Sequence, residues 1–406
     1  MRDRDGTELE LQTRDMMDRE GVPDGTTVTM KARSERDVRE IIREAHDGAA
    51  PLRIVGSGTW LRGGHPVDAG RRLDVSGLTG IVEYVPGDLT LTARAGTSLA
   101  ELGDATAAHH QWLPLDPFGD PRGSLGATLA TASCGPLGSS IGQPRDLTVG
   151  LTFVTGEGQA VQGGGRVVKN VAGFDLVRLG IGAWGTLGVL TEATVRLRAR
   201  PEADETLALA LPAEPDRLAD FLTSLRQAAI DPLCAELLNG ALATRLSLGD
   251  GEVLLVRLAG NPVAVHHQRD VLARLGDLNE APGTTWTKLR ESDPRDGLVV
   301  RMSRKPSELP RLWAAARTIT SVEAHATVTR GIVRLRIPDG LTIADADPLA
   351  AFDEDDARII EQGRAGDGVM PSPAGVGELA ERLRLAFDPL RILNRGILGE
   401  SLHDRG

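Results

Sequence analysis

Apolar and polar positions alternate in short bursts through the N-terminal half. Thr26 to Met30 has the two-residue period of a strand. Ser34-Glu35-Arg36-Asp37 then opens a helix whose face carries Val38, Ile41, Ile42 and Ala45. Leu52 to Val55 is the next strand and runs straight into Gly56-Ser57-Gly58-Thr59-Trp60, a glycine turn at a strand's carboxyl end, where α/β proteins place ligands. Further β segments are predicted at Arg72–Val75, Ile81–Val85 and Leu89–Ala93, implying a small mixed sheet. Ser98-Leu99-Ala100-Glu101 starts a helix toward His109. Leu147–Val154 and Gln159–Val161 flank the turn Thr155-Gly156-Glu157-Gly158 as a hairpin, and Val189 to Leu197 alternates as a strand.

Beyond Arg200-Pro201 the pattern changes to strand-like and helical runs in turn: Leu207–Leu211, Asp216–Ala229, Val253–Leu258 and Val263–Leu275. A boundary is placed near residue 204. A helix follows over Pro306 to Thr318, then a hairpin of His325–Val328 and Ile332–Ile337. A loose Gly/Pro/Asp-rich stretch from Asp339 to Gly377 leads to a last helix, Glu378–Phe387. The 406 residues thus divide as 15–204, 205–345 and 346–406.

Glycine is the compositional departure, 48 of 406 residues, or about 12% against roughly 7% in typical proteins. Most of it is N-terminal, so the ligand is expected there. Consecutive backbone N–H groups in a glycine turn form an anion-binding nest, because no Cβ blocks approach. Gly56-Ser57-Gly58-Thr59 has that character, although alone it equally suits a plain tight turn. A Rossmann fingerprint would need glycine where Leu61 stands, and no P-loop motif is present. The run from Ser124 to Gly135 alternates small and apolar residues and suits either a diphosphate or close helix–sheet packing. Gly185-Thr186-Leu187-Gly188-Val189 would let extended backbone touch a flat ring. Three such elements in one domain suit an elongated dinucleotide, which needs donors at several separated points.

Charge and cysteine narrow the class. The net charge of −11, with no basic cluster interleaved with aromatics, argues against nucleic acid as a partner. Cys134 and Cys234 form no CxxC pair, which excludes zinc-site spacing and a disulfide framework and suits a reducing cytoplasm. The charged start, Met1-Arg2-Asp3-Arg4-Asp5, and the lack of a long apolar run predict neither export nor an integral membrane segment. No metal site is predicted; His109-His110 and His266-His267 point to different faces of their helices. Lysine is rare, and Lys169 lies between two glycine clusters, near a phosphate or simply on the surface.

Taken together, four stretches resemble one family: Val55-Gly56-Ser57-Gly58-Thr59; Gly123 to Ala127 with Cys134-Gly135-Pro136 and Arg145-Asp146; Gly164 to Leu176, containing Lys169-Asn170-Val171-Ala172-Gly173-Phe174-Asp175-Leu176; and Gly185 to Val189. The chain resembles flavoproteins of the vanillyl-alcohol-oxidase type with a PCMH-type FAD-binding domain, and most specifically the FAD-binding subunit of bacterial glycolate oxidase. Ala386-Phe387-Asp388-Pro389 and Ile392-Leu393-Asn394 are similar to the family's closing motif. The resemblance implies an α+β fold, a two-subdomain FAD-binding unit followed by an α+β cap. It implies FAD bound by Val55, Gly56, Ser57, Gly58, Thr59 and Trp60, by Ser124, Leu125, Gly126 and Ala127, and by Gly185, Gly188 and Val189, with Pro117 and Gly135 completing the set. Thr59 stands where family members with covalent flavin have histidine, so non-covalent FAD is expected.

Some positions depart from the family. Phe174 replaces the usual Tyr, and Arg395 interrupts the Asn-Pro-Gly ending. The cap stretch Glu323 to Gly331 keeps one histidine, His325, of a histidine-rich signature. Oxidising a hydroxy acid needs a cation for the carboxylate and a base for the hydroxyl proton. His325 with Arg330 or Arg334 is one set; a structural histidine is the other, and no catalytic residue is assigned. The expectation is an FAD-binding subunit of a glycolate oxidase-type complex that oxidises glycolate or lactate, with a second flavoprotein subunit and an iron–sulfur subunit as partners. The rivals are a self-sufficient FAD-dependent oxidoreductase and a non-catalytic flavin-binding scaffold.

Overall fold

The computed structural model describes residues 28–67, 69–120, 122–165, 175–294, 297–319, 321–341, 358–363 and 377–399. Three short strands, Val28–Lys31, Arg71–Asp74 and Leu52–Val55, lie parallel in that spatial order. Parallel neighbours need a crossover, and the helix Glu35–Asp47 supplies one. It begins where expected: the Ser34 hydroxyl accepts from the Asp37 amide while the Asp37 carboxylate accepts from the Ser34 amide, a reciprocal cap. Val38, Ile42 and Ala45 are buried beneath it with Leu52 and Leu73.

The expectation of one small mixed sheet is corrected. Ile81–Val85 and Thr90–Arg94 form an antiparallel hairpin, joined through Pro86–Asp88 and Leu89 at φ 52°. So short a link permits only antiparallel pairing. They continue into Val189–Arg196, Thr148–Val154 and Ala160–Gly164, a five-stranded antiparallel sheet separate from the parallel one.

Among the described residues, those from Ala203 onward build an eight-stranded antiparallel sheet. Its spatial order is Leu278–Glu280, Ala203–Ala210, Val253–Gly260, Cys234–Leu238, Glu323–Thr327, Ile332–Ile337, Leu298–Ser303 and Arg358–Gln362. Cys234–Leu238 and Leu298–Ser303 escaped the sequence reading because both lie inside the sheet with strands on either side, and Cys234–Leu238 is buried at every position, which removes alternation. Arg358–Gln362 corrects the reading of its region as a loose stretch; it pairs with Leu298–Ser303 across a register shift.

Helices Pro215–Gln227, Pro262–Ala273 and Leu309–Ala316 cover one face of this sheet, burying Leu222, Leu272 and Trp313 against Leu254, Val256 and Leu335. The opposite face is unusually polar for a sheet interior. Paired residues point to the same side, and the pairs Arg301↔Arg334 and His325↔Arg334 set a polar row across it. Arg290 ties that side to the N-terminal part: its side chain donates to the Pro117 carbonyl at 3.2 Å, and its carbonyl accepts from the Gly119 amide at 2.9 Å. Finally the chain returns to the parallel sheet, where Leu393 bridges Leu52.

Candidate cofactor site

A groove opens where the parallel sheet meets the five-stranded one. Its wall begins at the carboxyl end of Leu52–Val55, whose last ladder bond is Val75 N–H to the Val55 carbonyl, 2.8 Å. Beyond it the backbone turns away, with Gly58 at φ +78°. Among the described residues, the amides of Ser57, Gly58, Thr59 and Trp60 donate to no protein acceptor. A row of unspent amides on a turn without Cβ atoms at Gly56 and Gly58 is an anion cradle.

The second glycine cluster contributes differently. Ser124 caps the helix Leu125–Thr131, its hydroxyl accepting from Ala127 N at 3.2 Å. Leu125 N donates to Thr97 O at 2.9 Å and Gly126 N to Ala95 O at 2.7 Å, so these amides are already satisfied. Gly126 serves close packing, since a Cβ there would lie 2.7 Å from that of Ala95. The two clusters are stitched together by Ser124 N donating to Ser57 Oγ at 3.2 Å.

The third wall comes from Trp184, Gly185, Gly188 and Val189. Gly185 sits at φ +70° with Asn394 Nδ2 only 2.9 Å from where its Cβ would be. Gly188 is pressed against Phe153 in the same way. Trp60 and Trp184 meet edge to face across the mouth, centroids 5.9 Å apart. Asn394 closes the corner: its Oδ1 accepts from Ile54 N at 2.8 Å and its Nδ2 donates to Trp184 O at 2.7 Å.

Of the residues expected at the cofactor, the structure gathers Val55, Gly56, Gly58, Thr59, Trp60, Ser124, Gly126, Ala127, Gly185, Gly188 and Val189 around this groove. Ser57 faces a neighbouring cleft. Leu125 points into the core with Leu91 and Val195. Pro117 is buried with its carbonyl on Arg290, and Gly135 is held against Asp116, whose carboxyl accepts from Leu137 N at 2.9 Å. Burial pushes the Asp116 carboxyl up to about 6. Lys169, Asn170, Val171, Ala172, Gly173 and Phe174 lie outside the described residues. Asp175, which follows them, caps the short helix Leu176–Gly180.

The neighbouring cleft shares Gly58, Thr59, Trp60 and Leu61 with the groove. Its far wall is the charged face of the large sheet, through Asp293, Arg334 and Glu361. Arg334 grips Asp293 with both terminal nitrogens, at 2.5 and 2.7 Å, and stacks its guanidinium 3.8 Å from the centre of the Phe118 ring. His325 does not join Arg334 as a pair facing solvent. It is buried behind Phe118, centroids 5.5 Å apart, and its Nδ1 shares a 2.8 Å hydrogen bond with Glu236 Oε2. Burial and the nearby Arg336 and Arg334 hold the imidazole neutral, well below its ordinary range, and burial lifts the Glu236 carboxyl to about 8. Arg330 leads elsewhere, toward Gly138 and Cys134.

The groove with its unspent amides, glycine turns and paired indoles suits a long, anionic, ring-bearing ligand. Comparison with known proteins decides which one. An FAD binding domain model matches residues 26–164. The Escherichia coli glycolate oxidase subunit GlcE is 35% identical over 283 residues, covering 68% of this chain and 77% of that protein. The chain belongs to the PCMH-type FAD-binding flavoproteins.

This flavoprotein is also 26% identical to the Bacillus subtilis glycolate oxidase subunit GlcD, over 90% of its own length and 87% of that protein. In fold it is similar to p-cresol methylhydroxylase, with a TM-score of 0.69, 14% identity and coverage of 95% and 92% of the two chains. FAD is accordingly its cofactor, and the chain is an FAD-dependent oxidoreductase of α+β class. No helix among the described residues is long and apolar enough to cross a membrane, and none of their histidine, cysteine and carboxylate groups cluster as a metal site.

Sequence reasoning passed over Trp184, Glu236, Asp293 and Glu361. Arg334 and Arg336 alternating with Val333, Leu335 and Ile337 did carry a signal: two arginines on one face of a buried strand need carboxylates opposite.

Proposed function

We propose that this chain is the FAD-binding subunit of a glycolate oxidase-type complex, oxidising a small 2-hydroxy acid such as glycolate or lactate and passing electrons to partner subunits, a second flavoprotein and an iron–sulfur protein. The amides of Ser57 to Trp60 would take the diphosphate, and the backbone at Gly185 and Val189 would line the cofactor. Bound FAD supplies the acceptor for the substrate's hydride. Thr59 in the loop, and His65 packed instead against Gly399, support dissociable rather than covalent FAD. The start of the large sheet at Ala203 supports a boundary near residue 204, and the bridge from Leu393 back to Leu52 supports a closing segment that returns to the cofactor unit, while Arg358–Gln362, in the large sheet, carries the cap beyond the expected boundary at 345. The two free cysteines suit a reducing cytoplasm.

One observation carries the subunit reading. His325, the histidine on the cleft side of the large sheet, is sealed behind Phe118 and committed to Glu236, so the proton-accepting role falls to a group that assembly brings or exposes. The test is the visible spectrum of the purified chain, the flavin identified after denaturation, and the spectrum repeated anaerobically with glycolate and lactate, alone and copurified with its partners. FAD that bleaches in the complex but stays oxidised in the isolated chain is the expected result. Rapid bleaching of the isolated chain, with turnover on an artificial acceptor, would overturn the subunit assignment.

A further inference from the structure

The charged face of the large sheet holds a carboxylate in an arginine clamp. Glu361 Oε1 accepts from Arg301 Nε at 2.8 Å, and its Oε2 accepts from Arg334 Nε at 2.5 Å. This is the two-point geometry by which arginines recognise an organic acid. Glu361 belongs to Arg358–Gln362, the edge strand among the described residues, where its sheet partner is Leu298–Ser303. The strand's end is fastened by two bonds: Gln362 Nε2 to Pro294 O at 2.6 Å, and Gly363 N to Arg62 O at 3.1 Å. Arg62 lies just beyond the shared loop Gly58–Leu61, so this carboxylate stands in the cleft beside the cofactor groove.

Arg301, Arg334 and Arg336 face Asp293 and Glu361, and Arg336 also pairs in register with Glu323. Asp293 is locked by Arg334 from below and by Arg336 at 3.0 Å, and its carboxyl stays below the ordinary range because of these cations. Glu361 is the exchangeable member: it is carried by an edge strand and takes a single Nε–H from each of Arg301 and Arg334, whereas Asp293 takes both terminal nitrogens of Arg334 and the Nε of Arg336.

We propose that Arg301 and Arg334 form a binding site for a small organic carboxylate, and that Glu361 fills this site as an internal stand-in which the ligand displaces. The site rests on the hydroxy-acid reading above and deepens it, by naming where the acid's carboxylate is held and what guards it. Displacement exchanges one carboxylate for another at both Nε groups, so no arginine is left unpaired while Glu361 moves into the solvent of the cleft.

The test uses the full FAD-containing chain and oxalate, a non-oxidisable small carboxylate, titrated by calorimetry. Glu361→Ala should bind oxalate at least about tenfold more tightly than the parent, since an internal competitor suppresses apparent affinity by its own occupancy. Sulfate at equal concentration should not reproduce the gain, and adding Arg301→Ala should abolish it. Equal oxalate affinity in parent and Glu361→Ala, or an equal gain for sulfate, would overturn the proposal. Glu361→Gln keeps the side-chain volume in case the alanine variant misfolds, and should show a smaller gain in the same direction; no gain in a folded Gln variant counts against the site. In the parent, saturating oxalate should speed hydrogen exchange at the Glu361 and Gln362 amides, and unchanged exchange counts against displacement. Because oxalate is not oxidised, this result is independent of whether glycolate or lactate bleaches the flavin. A clamp that works in a chain no hydroxy acid reduces would keep the site and discard the substrate.

Discussion

Two glycines, Gly58 and Gly126, separate cofactor binding from folding. Gly58 has room for a Cβ, its nearest neighbour being Leu61 Cδ1 at 3.6 Å, but its φ of +78° is closed to branched side chains. Gly58→Val should therefore reshape the amide row, at a backbone cost of about 1–3 kcal/mol, and the purified variant should lose its FAD absorbance while keeping its far-UV spectrum. Retained stoichiometric FAD would place the diphosphate elsewhere. Gly126 poses the opposite constraint. It is helical and unstrained, yet an added Cβ would overlap Ala95, so Gly126→Ala should cost about 1–3 kcal/mol of stability through overpacking, read as a lower urea midpoint. Both glycines were legible in the sequence as a ligand loop, because composition reports that small residues cluster. The division of labour between them was not legible, since it depends on whether each amide is spent on a neighbouring strand.

At the scale of elements, the closing segment acts as a latch. Asn394 holds Ile54 N and Trp184 O, from two different walls of the groove, and its own N–H donates to Leu52 O at 2.9 Å. Asn394→Ala leaves those two groups without their side-chain partner, at about 1–3 kcal/mol, and should weaken FAD binding along with thermal stability; unchanged FAD affinity would show that the latch serves folding alone. A second element-level consequence concerns the central strands Cys234–Leu238 and Glu323–Thr327, which bury Glu236 against His325. The Glu236 carboxyl is raised from 4.5 to about 8, so its contribution to stability is complete below pH 4.5 and is lost as pH rises through about 8. His325 is lowered from 6.5, so its contribution is present above pH 6.5 and is lost as pH falls below that value. Of these two groups, Glu236 is the one whose effect changes between pH 6.5 and 8. The urea midpoint should fall across that window in the parent, and the fall should shrink in Glu236→Gln. An equal slope in both would mean that the carboxyl is already ionised at neutral pH.

For the whole molecule, the groove draws its walls from residues as distant in sequence as Ile54, Trp184 and Asn394, so the cofactor is expected to brace the N-terminal part as one body. FAD at a hundred times its dissociation constant should stabilise it by about 2.7 kcal/mol, and removing FAD should lower the melting temperature reversibly; an unchanged melting temperature would mean that the walls do not close on the ligand. The sequence by itself determined the N-terminal strands and their capped helix, the hairpin around Gly156, and the glycine loops, because these rest on local signals: period, capping residues and turns that need positive φ. It also carried the family, through motifs at fixed spacing. Tertiary structure alone decided which strands share a sheet, since hairpin or crossover geometry chooses between parallel and antiparallel neighbours. It also decided that the amides of Leu125 and Gly126 are spent while those of Ser57 to Trp60 are open. Likewise, His325 reads in sequence as a candidate base, and only its burial behind Phe118 against Glu236 makes it a neutral partner in the interior. The charge of a side chain is written in the sequence, but the water and counter-ions that determine its chemistry are set by residues far away along the chain.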